Sequence, residues 1–259
     1  MQFRPASDHR ALPGGERATS LRRRGRVALE WAVGIAHRLA ARPYAATAAL
    51  LGVNLVLIGA FIGAGELAFG DPAEFFRELM PGTWLSVAQI AFIAVIAWAV
   101  HRELFGSSRL RLDNLWGISV VVFTVFAIDE ATQLTIFLAD GLAALGALAP
   151  AGFKDLDAFL VTVLLLAGGA ALLRYGWTLL SHPAALALLA LGVVLGGASQ
   201  TLDSVLSATS SEFVAEESLK LAAEPFLIGG YLVVLGRVMR SKRAREERDA
   251  SHIEAPAGV

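Results

Sequence analysis

Residues 44–66 read YAATAALLGVNLVLIGAFIGAGE, a run of some 22 mostly apolar positions. That is longer than the apolar core of a cleaved signal, and it follows a long basic leader rather than a short one. Crossing a bilayer as a helix takes about 20 residues, so this stretch reads as a first transmembrane span. Five more runs of similar length follow, near 83–101, 115–139, 158–180, 184–207 and 213–236. Each is bounded by residues that stop an apolar helix: Pro43, Pro81-Gly82, Asp113-Asn114, Asp155 to Asp157, His182-Pro183 and Ser210-Ser211-Glu212. The expected fold is an all-α bundle of six transmembrane helices over 43–238. Spans four and five form a tight hairpin.

Composition agrees. Of 259 residues 56% are hydrophobic and only 17% charged, where a soluble domain carries about a quarter. There is no cysteine, which excludes a disulfide scaffold and a thiolate metal site. A net charge of −1 gives no reason to invoke nucleic acid.

Six spans put both termini on one side, and 19 of the 22 Lys and Arg then fall on that side. Only Arg77 and Lys154 occupy the opposite loops, and Lys220 lies inside span six. The positive-inside rule makes both termini cytoplasmic. Residues 26–42 repeat Val27, Trp31, Ile35 and Leu39 every four positions between Arg26, Arg38 and Arg42. This pattern predicts an amphipathic helix in the cytoplasmic headgroup layer, its arginines on anionic lipid. Residues 1–25 and 239–259 are expected to be disordered tails.

Polar side chains inside the spans carry the functional signal, because each is costly there. Span three holds Asp129, Glu130 and Gln133. Span five holds Gln200, Asp203 and Ser204. Span six holds Glu216, Glu217, Lys220 and Glu224, and span two adds Ser86 and Gln89. At 1.5 Å per residue these groups lie within about 12 Å of the midplane, in its outer half. Glu217, Lys220 and Glu224 share one helical face, and Glu216–Lys220 is an i,i+4 pair. Pro225 should disturb the Leu221 carbonyl and bend span six. Thr209-x-x-Glu212 reads as a capping box, so part of the acidity serves the helix start.

Six acids facing one lysine call for a proton, a cation or water. All five histidines lie in tails or at span ends, so a His-ligated zinc or a Ser-His-Asp triad is not expected. Carboxylate and amide oxygens favour a hard divalent cation or a proton. The leading expectation is a carboxylate-rich cavity that binds a cation, proton or cationic ligand, as in transport or ligand binding. Alternatives are a membrane enzyme acting on lipid or peptide through a carboxylate base, and an assembly factor whose cluster only fixes packing. Gly59-x-x-x-Gly63 and Gly192-x-x-x-Gly196 match the small-residue packing motif, and a homo-oligomer stays open.

Phe126-Ala127-Ile128-Asp129-Glu130-Ala131, Leu195-Gly196-Gly197-Ala198 with Asp203, and Glu216-Glu217-Ser218-Leu219-Lys220 together resemble an uncharacterised family of bacterial polytopic membrane proteins. The likeness covers roughly 115–236. It implies a multi-pass protein of the bacterial inner membrane. Where that family has His-Glu this chain has Thr135-Ile136, and where it has a final Glu this chain has Lys220. Should the family positions bind a metal, this chain has lost ligands and gained an internal cation.

Overall fold

The computed structural model describes residues 14–77, 80–106, 109–153, 155–205 and 209–254, with the backbone alone at 14–21, 203–205 and 251–254. Among them there is no strand. Eight helices follow one another: α1 (Gly14–Ala40), α2 (Pro43–Phe69), α3 (Pro81–Phe105), α4 (Leu115–Thr132), α5 (Leu134–Ala144), α6 (Leu156–Tyr175), α7 (Pro183–Val205) and α8 (Ser210–Glu254). Six of these, α2, α3, α4, α6, α7 and α8, are long and apolar enough to cross a membrane. The protein is an all-α multi-pass membrane protein.

Local chemistry sets the helix ends. Pro43 and Pro81 open α2 and α3, where a missing N–H costs nothing. Asn114 and Asp155 cap α4 and α6 by accepting from the Gly117 and Ala158 amides at 3.0 and 2.8 Å. The capping box of α8 is formed in both directions. Glu212 N–H donates to Thr209 Oγ1 at 3.3 Å, and Thr209 N–H donates to Glu212 Oε2 at 3.0 Å.

Helix α8 is the hub and packs on α7, α3, α2 and α1. Its small residues admit the neighbours: a Cβ on Gly230 would lie 3.1 Å from the Ala185 oxygen, and one on Gly236 would collide with the Ala40 oxygen. Gly192 of the anticipated motif does face α8, where a Cβ would meet Leu227 at 2.7 Å. Gly59 and Gly63 meet nothing within 4 Å in this chain.

Three details depart from the sequence reading. Span three is two helices, because Gln133 adopts a left-handed conformation (φ 54°) and ends α4. Helix α8 runs through Pro225 to Glu254, so the tail expected to be disordered from 239 is helical as far as 254; residues 255–259 lie outside the described residues. The tail expected over 1–25 is likewise helical from Gly14, and 1–13 lie outside the description. A helix whose packed part is already nucleated extends at little cost through Arg, Lys and Glu, which are good helix formers. Helix α1 buries Val33, Ala36 and Ala40 against α3 and α8, whereas Val27 and Trp31 of the predicted stripe are exposed.

Gly236→Val should therefore lower stability by about 1–3 kcal/mol through overpacking, and Gly59→Val by much less. Thermal unfolding in detergent checks this; equal losses would put the α1–α8 contact in the wrong place.

Candidate functional site

Helix α8 is polar on one face where it meets α3 and α4. Lys220 Nζ donates to Glu217 Oε1 at 2.7 Å, one turn away, and to Glu130 Oε1 of α4 at 2.9 Å. Glu217 is buried, and the Lys220 and Glu130 side chains keep 26% and 21% of their surface. One turn further, Glu224 is 3% exposed. Its Oε1 accepts from the fully buried Ser86 hydroxyl of α3 at 2.5 Å. Its Oε2 is buried without a hydrogen-bond partner.

Beneath the charges lies an amide network that joins three helices. Asn54 of α2 and Gln89 of α3 exchange reciprocal bonds, at 3.1 and 3.0 Å. Asn54 Nδ2 also donates to the Leu221 carbonyl of α8 at 2.5 Å. That carbonyl is available because its helical donor would be residue 225, which is proline. Asn54 is 1% exposed and Gln89 6%, so these bonds are made where water does not compete.

The structure thus brings Gln89, Glu130, Glu217, Lys220 and Glu224 together. It gives other expected residues different work. Asp129 caps α5 instead of facing the centre: it accepts from the Thr135 amide at 2.8 Å and from the Thr135 hydroxyl at 3.2 Å. Gln133 acts through its backbone, as the break between α4 and α5. Glu216 and Gln200 are half-buried on α8 and α7, and the Asp203 side chain lies outside the described residues. Asn54 was missed. Its signal was a lone carboxamide inside an apolar run.

A resident divalent cation does not fit this geometry. The place such an ion would take between Glu130 and Glu217 holds the Lys220 ammonium, and a dication beside it would be repelled. Among the described residues no three His, Asp or Glu side chains are grouped to hold a metal ion.

At the far end of α2 the polar groups sit outside the spans. Asp71 accepts from the Ala73 amide at 3.0 Å and from Arg77 at 2.6 Å. Those two bonds hold its carboxyl below the usual carboxylate range. With Phe76 packed inward, this turn closes the end of the α2–α3 pair where the two helices connect.

Set against known families, curated proteins and solved structures, the chain matches none.

Replacing Asn54 by Leu should cost about 1–3 kcal/mol for each buried group left bare, the Leu221 carbonyl and the Gln89 amide. Pro225→Ala restores an N–H to Leu221 and should recover part of that loss. Unfolding of the two single variants and the double variant measures the coupling, and strictly additive losses would sink this account.

Proposed function

We propose that this protein is a bacterial inner-membrane component that takes up a proton or a cationic ligand at the Glu130–Glu217–Glu224 centre, as a transporter or ligand-binding subunit does. One observation carries the reading: three carboxylates face a single ammonium, and one oxygen of the deepest acid is bare. With Lys220 balancing one of them, the centre holds surplus negative charge in a low-dielectric interior. A proton on Glu224, or a second cation near it, relieves that charge. Lys220 then acts as a tethered cation that bonds Glu130 and Glu217 and holds them spaced. In this reading both termini are cytoplasmic, α1 lies along the inner headgroups, and the centre opens outward through the partly exposed Lys220–Glu130 pair.

The complete pairing of Lys220, with the reciprocal Asn54–Gln89 bonds, favours a second reading in which the centre only fixes helix packing. Two variants separate them. Under the proposal, Ca²⁺ or Mn²⁺ takes the vacated place between Glu130 and Glu217 and restores the thermal stability that Lys220→Met removes. Under the packing reading, the same change leaves an orphaned acid, costing about 3–5 kcal/mol at neutral pH and recovering as the acid is protonated at low pH. Glu224→Gln should flatten the pH dependence of unfolding relative to the wild type. Identical pH profiles for the two would remove Glu224 as the proton acceptor.

Reporters fused after Gly70, after Ala151 and at the C-terminus test the orientation. The first two should report the outside and the last the cytoplasm; the reverse pattern overturns it.

A further inference from the structure

A second site lies at the other end of the bundle. From Lys220 to Val234 is fourteen residues along α8, roughly 20 Å. There a groove of about 280 Å³ runs between the end of α3, the start of α4, and α8. Its walls are apolar and aromatic: Phe105, Trp116, Tyr175, Trp177, Val234 and Val238. It exists because α6 stops at Tyr175 and tightens into a 3-10 turn, Gly176–Ser181, before Pro183 starts α7. That turn leaves Trp177 standing 70% exposed beside the opening.

Cationic side chains adjoin the lining. Asp113 lines the groove but is already bonded by Arg111, at 2.6 Å to one oxygen and 3.2 Å to the other. Arg174 and Arg237 stand next to the lining as excess positive charge, each held on a lining residue, Tyr175 and His182. Arg174 is exposed and lies over the Tyr175 ring, 5.7 Å from its centroid. Arg237 uses Nη1 to donate to the Ser181 carbonyl at 2.7 Å and to His182 Nδ1 at 2.8 Å. Its remaining N–H groups can reach a further acceptor. Because arginine only donates, His182 accepts at Nδ1, and the neutral ring carries its proton on Nε2 as one more donor. Partial burial and the Arg237 charge hold this imidazole below its ordinary value.

An apolar slot with an imidazole in its wall and a guanidinium held on each of two lining residues is matched to one kind of molecule, an amphiphile with an anionic head. We infer that this groove binds an anionic phospholipid, one acyl chain along Trp116, Trp177 and Val238 and its phosphate between Arg174 and Arg237. Guanidinium pairs phosphate through parallel N–H bonds. Such basic pockets between transmembrane helices hold lipid headgroups at the level of the membrane surface. The lipid would tie α4, the turn after α6, and α8 together at a place where side chains leave a gap.

The test uses the full-length protein purified in a neutral detergent. Phosphatidylglycerol, phosphatidylcholine and glycerol 3-phosphate are added separately, and retention by native mass spectrometry and thermal unfolding are read. Phosphatidylglycerol should stay bound and raise the unfolding temperature by several degrees, while the other two do neither. Arg174→Gln should lower retention severalfold, and the double change with Arg237→Gln tenfold or more. Arg174 bonds no other part of the chain through this contact except the Tyr175 ring, so it carries the test if the Arg237 variant does not fold. Val238→Trp, which fills the slot and keeps both arginines, should also expel the lipid. Changing Arg22, Arg23 and Arg24 together to Gln should leave retention at this site unaltered. Equal retention of both lipids, protection by glycerol 3-phosphate alone, or undiminished binding to the Arg174 and Val238 variants would each overturn the assignment.

Discussion

The Leu221 carbonyl has no donor in its own helix, since Pro225 lacks an N–H, and inside a membrane no water is at hand to replace it. Asn54 supplies the missing bond from α2, and Gln89 of α3 holds the other end of Asn54. Three helices are thereby locked in register by one defect in the backbone of α8. The charged residues sit on this platform. Lys220 immediately precedes the freed carbonyl, and Glu224 immediately precedes the proline that frees it, so acid and base are placed by the same turn.

Helices α4 and α8 meet through long side chains rather than close backbones. At one level Tyr231 donates to the buried Ser119 hydroxyl at 2.7 Å, with Trp116 and Phe123 edge-on to its ring. At another, Lys220 reaches Glu130. Ser119 and Glu130 are eleven residues apart on α4, as are Lys220 and Tyr231 on α8, so the two bridges stand three turns apart on antiparallel helices. The Tyr231 bridge is neutral and wrapped in aromatic carbon. The Lys220 bridge is ionic and keeps part of its surface. That asymmetry leaves the Lys220 end of the seam ionic and partly exposed, while the Tyr231 end is neutral and buried.

Much of the centre was legible in the chain because charge inside an apolar run has few explanations. Glu130, Glu217, Lys220 and Glu224 stood out on that ground alone, and helical spacing put three of them on one face. The acid beside them, Asp129, was misassigned by the same logic. Its carboxylate is used up on the Thr135 amide, since the left-handed Gln133 opens a new helix N-terminus that needs an acceptor. Nothing in the run from 115 to 139, which has neither proline nor glycine near Gln133, announces that break. Asn54 was overlooked for the opposite reason. A single carboxamide is cheap enough to be passed over until its partners are known.

By itself, then, the sequence determined the class of fold, the number of helices long and apolar enough to cross a membrane, and which helix would carry the charges. Those depend on run length, hydropathy and spacing along one chain, properties that hold for any arrangement of the helices. The tertiary structure decided the pairing: that Lys220 bridges Glu130 and Glu217, that Ser86 covers one oxygen of Glu224, and that Asn54 answers Pro225. Each of these bonds joins residues from 90 to 167 positions apart, apart from the one-turn Lys220–Glu217 pair. Their geometry depends on how close α2, α3 and α4 come to α8, and that spacing is set by glycines and packed side chains acting together, not by any one segment.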